Sequence, residues 1–137
     1  MKQFVISNWY LFAALAVVLA LLVYDLLKFR IFGIQTAPPS RVIQLMNHDS
    51  AVIVDVGEAS EFKAGHIPGA LNVPVGSLKD SLDKLGKYKE KPLVLCCRSG
   101  NRSAKGAMVL SRSGFTNVYN LTGGMTAWQK ENLPLER

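Results

Sequence analysis

Between Trp9 and Tyr24 the chain runs "WYLFAALAVVLALLVY", with no charge and no strong polar group. With Phe4-Val5-Ile6 before it and Leu26-Leu27 after it, the apolar stretch covers 24 residues, Phe4 to Leu27, and only Ser7, Asn8 and Asp25 interrupt it. As a helix it reaches roughly 36 Å, enough to cross a hydrocarbon core of about 30 Å. Trp9, Tyr10 and Tyr24 bracket the run as interfacial aromatic residues do. A helix apolar on every face needs lipid or a large protein around it, and 137 residues do not make a large protein. A cleaved signal peptide has a shorter apolar region, about 7–15 residues, followed by small residues at the cleavage point. Here "IQTAPPS" places Gln35 where a small residue is wanted and Pro38 directly after Ala37. The expected organisation is therefore an anchor over residues 1–32, with residues 4–27 in a lipid bilayer, a linker over 33–39 and one domain over 40–137.

Flanking charge predicts the orientation. Lys2 and the amino terminus precede the helix, and Lys28, Arg30 and Arg41 follow it. The more positive side stays in the cytoplasm, so the C-terminal domain is expected there. Cysteine usage agrees. Cys96 and Cys97 are adjacent, and neighbours rarely bridge without strain. Free thiols suit a reducing compartment. From Ser40 onward 13 Lys/Arg stand against 9 Asp/Glu, with the two signs interspersed. No basic stripe with interleaved aromatic residues is present, which argues against nucleic acid as a partner.

The remaining chain alternates between two patterns. "AVIVDV" (51–56), Ala70–Val73, "KPLVLCC" (91–97) and "NVYNL" (117–121) read as short strands. Helical spacing lies between them: after Ser40 as a cap, around "EASEFKAG", at Leu78, Leu82 and Leu85, over "SAKGAMVLSRSG" with Gly114 as a stop, and over "GGMTAWQKEN". Apolar strands without in/out alternation, separated by helices, predict a parallel sheet covered on both faces.

Chemistry concentrates in "CCRSGNRS" (96–103). A cysteine here ends a strand, and a helix is expected to begin near Ser103. In open parallel α/β sheets ligands bind beyond the carboxyl ends of the strands. A short loop opening into a helix turns its N–H groups toward an anion, and Gly100 lets the backbone come close. The helix N-terminus together with Arg98 and Arg102 favours thiolate over thiol at Cys97, so no partner histidine is needed. Successive strand residues point to opposite faces, which makes Cys96 a buried strand residue and Cys97 the nucleophile. Ser103 reads as a helix cap. Two histidines and two adjacent cysteines lack the ligand spacing of a zinc site, and no step in this chemistry calls for a metal or cofactor.

These motifs resemble those of the single-domain rhodaneses, a family of sulfurtransferases. "DVGEASEFKAGHIPGALNVP" (55–74) is similar to the family's amino-terminal signature. "CRSGNRS" (97–103) matches its active loop, and "NLTGGMTAW" (120–128) its closing motif. Together they cover residues 40 to 135 in the family's order. The resemblance implies a five-stranded parallel sheet with helices on both faces, here preceded by one transmembrane helix. It makes Cys97 the residue that carries a persulfide. The arrangement with an N-terminal anchor is similar to a bacterial subset tethered to the inner membrane by a single pass. Gly57 stands where the family usually has arginine.

On this basis Cys97 is expected to take sulfur from thiosulfate or another sulfane donor, release sulfite, and pass the sulfur to a thiol or to cyanide. Arg98 and Arg102 would orient the anionic donor, and the loop from Arg98 through Ser99, Gly100, Asn101 and Arg102 to Ser103 would bind it. Asp55 and His66 are expected in support, Asp55 in a structural role, with hydrogen bonds to the active loop as the alternative, and His66 by ordering its loop. A second reading makes the chain a low-turnover rhodanese-like tether that binds a membrane or sulfur-relay partner. Related phosphatases and arsenate reductases space cysteine and arginine by five residues. Position 103, where that arginine would fall, is serine, so oxyanion chemistry is disfavoured.

Overall fold

The structure, a computed structural model, describes residues 1–31 and 34–137. They form two compact units, residues 1–31 and, in its described part, 34–137. The expected boundary between anchor and linker, at Phe32 and Gly33, lies outside the described residues.

The first unit holds α1 (Lys2–Ser7) and α2 (Trp9–Ile31). The apolar run is not one uninterrupted helix. The Asn8 side chain donates to the Phe4 carbonyl at 2.9 Å while its own carbonyl receives Leu11 N–H, also at 2.9 Å. A side-chain amide that competes for a helix's last carbonyls ends that helix. The part long and apolar enough to cross a membrane is Trp9–Leu27, 19 residues. That is about 28 Å of helix.

The second unit is a five-stranded, all-parallel sheet of order β1-β5-β4-β2-β3, from β1 (Ile34–Ala37), β2 (Val52–Asp55), β3 (Leu71–Asn72), β4 (Leu93–Cys96) and β5 (Val118–Leu121). Four of these strands fall where the sequence predicts them. The fifth corrects the expected linker: Ile34–Ala37 pairs with Val118–Leu121 along its whole length. It is an edge strand whose middle residues, Gln35 and Thr36, are exposed, so it lacks the apolar run by which buried strands are read. Pro39, not Ser40, opens the next helix, α3 (Pro39–His48). Proline suits a first helical turn, where its missing N–H would have no partner.

Helices cover both faces. Val42 and Leu45 of α3, with Met125 and Trp128 of α7 (Gly124–Lys130), pack on Ile53, Val94, Cys96 and Leu121. On the opposite face α6 (Asn101–Arg112) lies over β4 and β5. The point of closest approach is Gly106, where a Cβ would come within 2.9 Å of a Leu95 methyl and 3.1 Å of one on Leu78. Leu78 and Leu85 are buried on this side as their spacing suggests, but the segment between them is broken into short 3-10 turns and the four-residue α5 (Leu82–Leu85). The small α4 (Ala59–Ala64) begins with a capping box in which Glu58 and Glu61 satisfy each other's backbone N–H groups.

Candidate active site

Strand β4 ends at Cys96, and its register sets what the next residue does. Cys96 is fully buried in the core. Burial, then the charge of Asp55, pushes its thiol well above the ordinary range. It is strand filling and inert. Cys97 follows at the carboxyl end of the sheet, on the floor of an open pocket of about 440 Å³ that Asp55, Glu61, Arg98, Met125 and Thr126 also line.

Two sets of backbone contacts shape the loop after it. From the rear, α7 holds the strand end: Met125 N–H donates to the Cys97 carbonyl at 2.8 Å, and Thr126 donates to the Arg98 carbonyl through N–H at 3.1 Å and Oγ1 at 3.0 Å. From the front, Gly100 takes a left-handed conformation, φ 101°, as the N-cap of α6. That conformation is cheap only for glycine. The Gly100 N–H donates to Cys97 Sγ at 3.1 Å, and the Ser103 N–H reaches the same sulfur at 3.4 Å. The helix thus begins at Asn101, so Ser103 is a first-turn residue rather than the expected cap. Its buried hydroxyl lies 3.4 Å from Cys97 Sγ.

Burial opposes ionisation of Cys97. The Ser103 hydroxyl and the N–H groups of Ser103, Gly100 and Ser99 outweigh it, and the thiol lies below its ordinary value. The shift is toward thiolate, as expected of the loop, and after burial its largest causes are hydrogen bonds to the sulfur. The charge of Arg102 also bears on Cys97, but its guanidinium is engaged elsewhere. Its two terminal nitrogens each donate to a Glu61 carboxylate oxygen at 2.8 Å. This bidentate pair holds the Glu61 carboxyl at about 2 and makes Arg102 a brace between α4 and α6. Arg98 remains the cation that lines the pocket.

The side chains of Asp55 and His66 have their hydrogen-bond partners outside residues 98–103. Asp55 folds back on its own turn, accepting from Gly57 N–H at 2.8 Å. Burial raises its carboxyl despite that bond. Glycine at 57 suits this arrangement, since a Cβ there would sit 3.0 Å from the same carboxylate oxygen. Asn72 completes the turn by donating to the carbonyls of Asp55 and Gly57. His66 stacks flat on Phe62, with ring centroids 3.6 Å apart. Its Nδ1 lies 2.7 Å from the Phe62 carbonyl and its backbone pairs with Glu136. These contacts tie it to its own segment and to the chain's last residues. Trp128 is core, with Nε1 donating to the Pro134 carbonyl.

One residue at this site stands in the closing motif without a role assigned to it. Asn120, on β5, is buried; it accepts from Ser103 Oγ at 2.6 Å and donates to the Gly100 carbonyl at 3.2 Å. The available signal is a lone amide inside a strand whose four residues are all buried, since buried amides need partners.

The rhodanese-like domain model matches residues 38–131. The chain belongs to the rhodanese-like domain family. Among curated relatives, the uncharacterized protein YibN of Escherichia coli is 36% identical over 95 residues, 69% of this chain and 66% of that protein. The thiosulfate sulfurtransferase GlpE of Pseudomonas putida is 35% identical over 92 residues, 67% of this chain and 82% of that protein. Among solved structures, a rhodanese-related protein from Thermoplasma volcanium superposes with a TM-score of 0.68 at 25% identity, covering 74% of this chain and 97% of the other. In this rhodanese the matched region begins at Pro38, so β2 to β5 and the loop after Cys97 fall within the match while β1 lies just before it.

Proposed function

We propose that the chain is a sulfurtransferase that carries sulfane sulfur as a persulfide on Cys97. The observation that carries the reading is the convergence of Gly100 and Ser103 N–H groups on a pocket-floor sulfur. Relatives named thiosulfate sulfurtransferase, 33–36% identical to this chain, support the reaction class.

The steps are two displacements at sulfur. Cys97 thiolate attacks the outer sulfur of thiosulfate. The new S–S bond forms as the old one breaks, and sulfite leaves with the bonding pair, so no general acid is required. The resulting terminal sulfur is anionic and is held by the loop's N–H groups. An acceptor thiolate then attacks that outer sulfur, giving an acceptor persulfide and regenerating Cys97 thiolate; cyanide would serve in the same way and leave as thiocyanate. Arg98 meets the anionic end of the donor. Mass spectrometry of the chain after thiosulfate treatment tests this. A gain of about 32 Da, one sulfur atom, should map to Cys97 and not Cys96. A folded chain that takes up no sulfur would leave the low-turnover tether instead.

Residues Trp9–Leu27 serve, in this proposal, as a single-pass anchor in the bacterial inner membrane, with the sulfur-carrying unit in the cytoplasm. The charges of Lys28, Arg30 and Arg41 after the span support that orientation. Protease added outside spheroplasts should leave the C-terminal unit intact, and digest it only after the membrane is opened. Digestion in intact spheroplasts would reverse the assignment.

A further inference from the structure

Ser103 has one hydroxyl proton and two neighbours placed to receive it. Its Oγ stands 2.6 Å from Asn120 Oδ1 and 3.4 Å from Cys97 Sγ. The Asn120 amide cannot be turned round. Its nitrogen lies 3.2 Å from the Gly100 carbonyl oxygen, which can only accept, so the amide oxygen must be the atom that faces Ser103. That oxygen has no proton to offer, and the 2.6 Å contact therefore consumes the Ser103 proton. With the proton turned to Asn120, Ser103 presents lone pairs to Cys97. A thiol can donate to them, but a thiolate needs the proton turned the other way.

We propose that Asn120 is a positioning residue that competes with Cys97 for the Ser103 proton and so sets the balance between thiol and thiolate at the nucleophile. The proton stays on Oγ throughout and swings about the Cβ–Oγ bond. It faces sulfur while Cys97 is an anion and returns to Asn120 once that sulfur is neutral, either as thiol or as the inner atom of a persulfide. The persulfide half of this statement rests on the sulfurtransferase reading; the thiol half does not. The Gly100 carbonyl that orients Asn120 belongs to the same residue whose N–H holds Cys97 Sγ, which ties the loop's shape to the competition.

Other charges near the sulfur are accounted for. Asp55, Glu61 and Arg98 line the pocket, and Arg102 is held by Glu61. Cys96 is buried, and the residues of α7 in the pocket, Met125, Thr126 and Gln129, carry no charge. None of these groups is hydrogen-bonded to Asn120.

The test is the rate of Cys97 alkylation by iodoacetamide as a function of pH, on the full chain in detergent, with Cys97 identified by peptide mapping. Asn120→Leu removes the rival acceptor, and the midpoint should fall by about one unit, a tenfold gain in thiolate below it. Asn120→Asp keeps the size, strengthens the acceptor and adds a negative charge, so the midpoint should rise by about one unit or more. In a Ser103→Ala background Asn120→Leu should move the midpoint by less than about a third of a unit, because no proton remains to compete for. Midpoints unchanged in the folded Asp variant overturn the proposal, as does a Leu shift of full size in the Ser103→Ala background. Should Asn120→Leu fail to fold, Asn120→Asp measured with and without Ser103→Ala decides: its rise should be clearly smaller in the Ser103→Ala background, and an equal rise there overturns the proposal. Alkylation needs no sulfur donor, so a wild-type chain that takes up no sulfur defeats the sulfurtransferase reading and leaves this test standing.

Discussion

Cys97→Ser abolishes sulfur uptake, with thiosulfate turnover expected to drop by at least about a thousandfold. The magnitude follows from what the loop does and does not supply. Hydrogen bonds from Gly100 and Ser103 lower the Cys97 thiol below its ordinary value. A serine hydroxyl starts several units higher, and two N–H groups do not bridge that gap without a base. Among the described residues no histidine bonds to the sulfur: His66 is occupied with Phe62 and Glu136. An oxygen also cannot store the sulfur as a persulfide. The measurement is sulfite release under saturating thiosulfate together with the mass adduct. Turnover within tenfold of wild type in the serine variant would remove Cys97 from the mechanism, since Cys96 is buried with a raised thiol and cannot substitute.

The second large effect lies on the other side of the loop. Gly124→Ala should destabilise the domain by about 2–5 kcal/mol, combining left-handed backbone strain with overpacking. Gly124 has φ 58°, and a Cβ there would collide with the Cys97 carbonyl oxygen and come within 2.8 Å of the Arg98 carbonyl. Both obstacles are backbone, so neither can swing aside. The midpoint of thermal unfolding should fall by roughly 10–20 °C for a domain of this size. Gly76→Ala is the control, since nothing lies within 4 Å of the added atom. A shift of only a degree or two in Gly124→Ala would mean that α7 and the loop are not packed as described. Where the variant remains folded, the Cys97 carbonyl must move and sulfur loading should fall with it, because the adjoining Met125 contact at 2.8 Å fixes the strand end.

The "GG" of the closing motif thus acquires a physical meaning. Gly123 and Gly124 both take positive φ, and together they let α7 start against the backbone of the active loop. The sulfur's surroundings are built from β4, the first turn of α6 and the first turn of α7. Loop N–H groups face the sulfur, while α7 N–H groups face the carbonyls behind it. A single peptide cannot point both groups forward, and the second helix resolves that.

Much of this was legible in the order of residues. Two strands declared themselves by apolar runs and two more by short segments between turns and helices, and the strand's two-residue period separated the adjacent cysteines into one packed in the core and one lining the pocket. The loop's spacing named Cys97, and Gly100 marked the turn. The missed features share a cause. β1 is an edge strand of four residues with an exposed middle, so neither an apolar run nor a clean alternation marks it. Ser103 looked like a cap because Asn101 and Arg102 read as loop; only Gly100's left-handed backbone starts the helix two residues earlier. Arg102 looked free to meet substrate because Glu61 is 41 residues away.

Sequence alone determined the local choices: a membrane-length helix, a sheet buried on both faces, a cysteine where a strand meets a glycine-containing loop. These depend on side-chain polarity, backbone freedom and spacing, which act over a few residues. Tertiary structure decided the partners. It gave Arg102 to Glu61, the Ser103 hydroxyl to Asn120, and the carbonyls of Cys97 and Arg98 to α7. Each of those assignments depends on strand order and on the register of β5 beside β4, because a hydrogen bond is decided by a few tenths of an ångström between atoms that the chain brings together only when the sheet is complete.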